Sequence, residues 1–236
     1  MVFNKNLWLH SNQGIKASSL ALGSSVFLME NGSPTEYMVV HKGLPSNLYD
    51  SSCDGLWLLR KDIYSDDWWH SNNTNSYESS YIHTYLNNTF LPELGEVEQA
   101  TIKQVKLPYV NGTGGSAIAF GSNGLSTKVF LLGGYEVGLT TSVHSDVPVD
   151  GAKLDYFEEG STEGGTNRSL RIAYLSGTAK KWWLRSSSVA DAYNSWYIST
   201  EGYPGRSGCM TSYGIRPTLI LPHAAVFDKD TLILKG

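Results

Sequence analysis

The sequence predicts an α+β fold: two short helices and a twisted antiparallel sheet, connected by long irregular loops. Three observations lead there. The 236 residues include 24 glycines, 14 tyrosines and 7 tryptophans, with only 17% charged residues, a composition of loop-rich globular chains. Helical spacing of apolar residues is confined to two short stretches, and from Arg171 onward runs of strand length follow one another closely.

Met1 to Ser19 has mixed polarity and reads as an arm or linker, so the domain is expected over 20–236. Ser25–Met29 and Tyr37–His41 are β-rich runs flanking Glu30-Asn-Gly-Ser-Pro34, whose Asn-Gly pair predicts a hairpin. Gly55–Arg60 reads as a buried strand. Ser79 or Ser80 can cap a helix that carries Ile82, Tyr85, Leu86 and Phe90 on one face until Pro92. A second helix is expected over Glu96–Ala100. Ile102, Val105 and Leu107 then lead into a glycine-rich loop, Asn111–Gly124. Lys128–Leu132 reads as a strand, Asp150–Phe157 as a brief helix, and Glu158–Asn167 as an acidic glycine-rich connection. Strands are expected at Arg171–Leu175, Lys180–Arg185, Trp196–Ser199, Gly214–Leu221 and Thr231–Leu234.

Charge and composition exclude several functions. A formal charge of -4 leaves no basic excess for phosphates, and Lys106, Lys128, Lys180 and Lys181 are too scattered for a stripe, so nucleic acid is not an expected partner. No run reaches the roughly 20 apolar residues of a membrane span, and no signal peptide is visible at the N-terminus. Cys53 and Cys209 make no disulfide framework or zinc site, although a single bridge between them stays open. No metal or cofactor is expected, because the histidines are dispersed without ligand spacing. Asp66-Asp67-Trp68-Trp69 reads as a loop pinned by tryptophans rather than a calcium or sugar site, and Gly112-Thr-Gly-Gly115 lacks the Lys-Ser or Lys-Thr of a phosphate cradle.

The segment of interest lies between 187 and 213. Alternation over Tyr193–Glu201 turns Trp196 and Ile198 inward and puts Tyr193, Ser195, Tyr197, Ser199 and Glu201 on the other face. Tyr203-Pro-Gly-Arg-Ser-Gly-Cys-Met-Thr-Ser-Tyr213 has no apolar period and reads as a surface loop presenting Tyr203, Gly205, Arg206, Ser207, Cys209, Met210 and Tyr213. Tyrosine among small polar residues is the composition of paratopes, since it offers a large amphipathic area at low torsional cost. Tyrosines packed on a sheet edge with wet hydroxyls would give the same composition.

Trp182-Trp-Leu-Arg-Ser186 before the segment and Tyr213-Gly-Ile-Arg-Pro-Thr-Leu-Ile-Leu221 after it resemble a domain family of phage and prophage tail loci, with a "WWLRS" strand and a closing "GVRPAL" strand. The likeness runs from about Leu20 to Leu234 and takes in the Glu30-Asn-Gly hairpin, Leu48-Tyr-Asp50, Trp57-Leu-Leu59, Ile82-His-Thr-Tyr-Leu-Asn-Asn88 and Arg171-Ile-Ala-Tyr-Leu175. The resemblance implies a C-type-lectin-like fold, shared with formylglycine-generating enzymes and with variable target proteins of diversity-generating retroelements. It implies a framework of Trp182, Trp183, Arg185, Trp196, Arg216 and Pro217 around positions that vary and bind, and a binding protein rather than an enzyme. Its expected target is a cell-surface protein or glycan. Display on a virion tail or outside a cell, as a homotrimer or other homo-oligomer, belongs to the same expectation. Two other functions stay open: a copper oxidase of the formylglycine-generating type, and a structural tail or surface protein whose tyrosines make subunit contacts.

Overall fold

A computed structural model describes residues 14–142, 144–158 and 168–236. The arm expected over 1–19 therefore lies outside the described residues as far as 13, and the acidic connection lies outside them from 159 to 167. The described part of the arm belongs to the fold, because Ile15–Lys16 pairs antiparallel with Val226–Phe227.

The domain is mostly β, with few short helices. Its first five-stranded sheet runs in the order Val129–Phe130, Thr218–Leu221, Gly55–Arg60, Ser33–Gly43, Ser25–Glu30, all antiparallel. Its hairpin turns on Asn31 (φ 48) and Gly32 (φ 77), the pair of left-handed residues that a two-residue turn needs to match strand twist. Gly55–Arg60 is apolar at successive positions because both faces are covered. Leu56 and Leu58 join one core cluster, Trp57 and Leu59 another.

The second five-stranded sheet runs Pro204–Gly208, Asn194–Ile198, Trp182–Ser187, Ser212–Ile215, Ser65–Trp68. The expectation of a purely antiparallel sheet is corrected here: Trp182–Ser187 and Ser212–Ile215 run parallel, meeting at Trp182 and Gly214. The run expected as one strand over Gly214–Leu221 is two strands in different sheets. Between them Arg216 donates from Nε to Arg60 O (2.9 Å) and from Nη2 to Lys61 O (2.9 Å), while Pro217 O accepts from Arg60 N (2.9 Å). The adjacent tryptophans split likewise, Trp182 into the core of Trp57 and Phe130, Trp183 into that of Trp69 and Phe90.

The helical run begins at Tyr81–Tyr85, capped by the buried Ser80 hydroxyl, which accepts from His83 N (3.1 Å). It continues through a π-helical turn, Leu86–Phe90, and ends in Leu91–Glu93. Asn87, on that turn, donates to His83 O (3.0 Å) and Val129 O (2.9 Å) and accepts from Val129 N (3.1 Å), tying the helix to the first sheet. Glu96–Thr101 forms the second expected helix, and Asp155–Glu158 a shorter one.

Candidate functional site

The framework residues are buried, and Trp182, Trp183, Arg185 and Arg216 are also hydrogen-bonded. Trp182, Trp183, Arg185, Trp196 and Arg216 are at most 2% exposed. Arg185 grips Glu136 with two short bonds, Nη1 to Oε2 at 2.6 Å and Nη2 to Oε1 at 2.7 Å, and donates further to Leu131 O (3.2 Å) and Asp150 O (2.9 Å). Glu136 also accepts from Tyr49 Oη (2.7 Å) and Gly133 N (2.8 Å), so its charge is fully satisfied. This knot fastens Leu131, Gly133, Glu136 and Asp150 to the Trp182–Ser187 strand.

The face between 193 and 213 is less uniform than alternation predicts. Tyr193 (49% exposed), Tyr203 (38%) and Met210 (56%) stand in solvent, as does Glu201. Ser195 and Cys209 do not, and their assignment to the ligand surface is corrected: both are 0% exposed, with Ser195 Oγ 3.3 Å from Cys209 Sγ. The reason is coverage. Asn194–Ile198 is an interior strand, flanked by Pro204–Gly208 and Trp182–Ser187, and Cys209 on the chain's return packs into the core with Trp69 and Ile215. Trp196 and Ile198 pack into the other core cluster. Burial pushes the Cys209 thiol up to about 11 and the Cys53 thiol, in that other cluster, to about 12. The two cysteines are free, which closes the disulfide option.

The surface loop expected beyond Gly202 is likewise corrected. Pro204–Gly208 is an edge strand paired with Asn194–Ile198 at five positions, and Ser212–Ile215 is a strand paired with Ser65–Trp68. Several residues named from sequence are held by intramolecular bonds. Ser199 Oγ accepts from Tyr203 N (3.0 Å), fixing the turn before Tyr203, whose ring stacks on Arg168 at 4.5 Å. Gly205 is required by Tyr197, because a Cβ there would lie 2.5 Å from the tyrosine ring. Arg206 lies 5.8 Å over Trp196, and its Nη1 pairs with Asp146. Ser207 Oγ is 3.0 Å from Thr211 Oγ1 and accepts from Tyr213 Oη (3.4 Å).

Tyr197 and Tyr213 are half-buried and packed at a tilt of 56°, their centroids 4.8 Å apart, with Tyr213 4.7 Å from Trp183. The Lys181 ammonium lies over both, 5.0 Å from the Tyr197 centroid and 5.1 Å from that of Tyr213. Beside them a half-open cleft of about 250 Å³ is lined by Asp66, Lys180, Lys181, Thr200, Ser212 and Tyr213.

Sequence reasoning missed the residues that position this surface. Asn75, 0% exposed, donates from Nδ2 to Ser188 O (3.1 Å), Asp191 O (2.9 Å) and Asn194 O (2.9 Å). Asp191 accepts from Tyr193 N (3.0 Å) and Asn194 N (2.7 Å), an Asx turn legible as Asp-Ala-Tyr-Asn, and one that presents Tyr193 outward. In the sequence Lys181 counts only as one of four scattered lysines, and the loop expected over Asp66-Asp67-Trp68-Trp69 is corrected: Ser65–Trp68 is a strand in which Trp68 is exposed, and only Trp69 is buried. Among the described residues, no three His, Cys, Asp or Glu side chains gather as a metal-binding group. Asp67 is engaged by Tyr81 Oη (2.8 Å) and Asp66 by Lys180 Nζ (3.4 Å).

Fold and site together define a β-rich α+β domain with a rigid aromatic interior and a partly exposed tyrosine, methionine and arginine face. The chain belongs to the DUF6273 family, a domain of unknown function, which matches residues 54–223. That span takes in every strand of the second sheet and leaves the Ser25–Gly43 hairpin of the first sheet outside. No curated protein and no solved structure matches the chain. No described helix is long and apolar enough to cross a membrane.

Proposed function

We propose that this chain is a binding module that recognises a cell-surface target, protein or glycan, through the outward side chains between 193 and 213. The observation that carries this is the contrast within one segment: Tyr193, Tyr203 and Met210 stand in solvent while Trp196, Ile198 and Cys209 are fully interior. Exposed aromatic and methionine side chains on a braced backbone supply contact area with little ordering cost on binding. The reading extends to a C-type-lectin-like scaffold displayed on a virion tail or outside a cell, with the exposed positions free to vary. A reverse transcriptase gene beside an imperfect copy of this gene's 3′ end would support that extension. A two-thiolate copper oxidase finds no support in Cys53 and Cys209, which belong to separate cores and are kept protonated by burial.

The test is a variant combining Tyr193→Ala, Tyr203→Ala and Met210→Ala, measured on an immobilised glycan array and on a panel of intact bacterial cells. The wild type is expected to bind at least one surface, and the variant to lose at least tenfold in affinity while its melting temperature stays within about 2 °C. Retained binding, absence of wild-type binding, or collapse of the fold would each reject the reading.

A further inference from the structure

We infer that the cleft at Lys181 is a subsite for a single acidic sugar ring, a uronic-acid-type saccharide, within the recognition surface proposed above; the inference rests on that proposal. The charge arithmetic is local. Lys180 is paired with Asp66 at 3.4 Å, whereas Lys181 has no carboxylate partner among the described residues and is held between the rings of Tyr197 and Tyr213. The cleft thus carries one surplus positive charge on a chain whose formal charge is -4. The Tyr197 and Tyr213 side chains hold the ammonium by ring contact and by hydrogen bonds to their hydroxyls but do not neutralise it, so a ligand carboxylate would make a charge-assisted bond with a donor already positioned.

The remaining lining favours a sugar over a peptide acid. Thr200 and Ser212 offer hydroxyls, Asp66 offers an acceptor for ligand hydroxyls, and the half-buried Tyr213 forms part of the wall. A peptide carboxylate would use Lys181 alone and leave the Thr200 and Ser212 hydroxyls and the Asp66 acceptor without ligand partners. At about 250 Å³ the cleft is below the range of drug-sized pockets, about 300–1,000 Å³, and suits one ring rather than a chain of them.

Methyl β-glucuronide, methyl β-glucoside and N-acetylglutamate, titrated into the full chain by NMR, separate the contributions of charge and ring. The glucuronide is expected to bind weakly, on the order of millimolar, and the other two at least tenfold more weakly, with the glucuronide's affinity falling as salt rises. Lys181→Met should bring glucuronide binding down to the glucoside level, and Lys181→Arg should restore most of it. Equal binding of glucuronide and glucoside, no binding of the glucuronide, or an unaffected Lys181→Met variant would overturn the subsite. N-acetylglutamate binding as well as the glucuronide would assign the cleft to acidic peptides instead and also overturn it. If Lys181→Met spares array or cell binding while the triple alanine variant abolishes it, the subsite fails and the surface reading stands. The reverse pattern rejects the surface reading and keeps the cleft.

Discussion

Asp150→Asn probes the buried charges that brace the candidate surface. One guanidinium, Arg185, serves two carboxylates, Glu136 and Asp150, and all three residues are at most 1% exposed. Glu136 takes the bidentate pairing. The Asp150 carboxylate is left with the Ser186 hydroxyl, at 2.8 and 2.9 Å, and burial pushes it from 3.8 up to about 6 despite the nearby arginine. The fold therefore prefers protonated Asp150. Between the two values the folded chain holds a proton that the unfolded chain has released, so the contribution of Asp150 to stability is greatest below about 4, falls as pH rises through the window, and levels off above about 6. At about 1.4 kcal/mol per unit, the loss is on the order of 3 kcal/mol. Asparagine keeps an acceptor for Ser186 and removes the titration. Urea unfolding between pH 4 and 7 should show wild-type stability falling relative to the variant by about 2–3 kcal/mol, whatever the offset at one pH. A wild-type-minus-variant difference that stays flat across the window would refute the assignment of a buried, proton-linked Asp150.

Two further substitutions separate framework from surface. Trp183→Ala, which empties a fully buried indole site beside Tyr213, should cost about 3–5 kcal/mol in urea unfolding, and a loss below about 1 kcal/mol would mean the tryptophan is not part of the core. Gly205→Ala drives a methyl into the Tyr197 ring, so a loss of about 1–3 kcal/mol is expected with altered near-ultraviolet circular dichroism; an unchanged aromatic spectrum would contradict the packing of Tyr197 over Gly205.

The elements legible in the sequence are those whose chemistry is local. The Asn31-Gly32 turn fixes its hairpin by backbone conformation, Ser80 caps its helix within three residues, and Gly55–Arg60 is apolar throughout because it is covered twice. Pro204–Gly208 escaped notice because nothing in Pro-Gly-Arg-Ser-Gly alternates; it is a strand through its pairing with Asn194–Ile198. Ser195 and Cys209 were misplaced for a related reason. Serine carries no signature of burial, and Ser195 is interior because the flanking strands and Cys209 cover it, whereas a free cysteine packs as a small hydrophobe and Cys209 does so beside Trp69 and Ile215. Asn87 reaches Val129, 42 residues away, and Asn75 reaches Asn194, 119 away, contacts beyond the reach of any local pattern.

These constraints narrow what the surface can vary without cost. At Tyr193, Glu201, Tyr203 and Met210 the side chains end in solvent, where substitutions usually change stability by within about 0.5 kcal/mol. At Ser195 a larger side chain would have to enter the core beside Cys209, and at Gly205 it would displace Tyr197, loosening the ring pair that holds Lys181. Arg206 is intermediate: it is partly exposed, yet its pairing with Asp146 ties the edge strand to the segment that Arg185 anchors from behind. The same strand stands at the sheet's edge, where Pro204 lacks an N–H and Arg206 carries a charge, features that discourage another chain from adding to it. Recognition by this face would therefore proceed through side chains projecting from the ends and turns of the second sheet, not through strand addition along its edge.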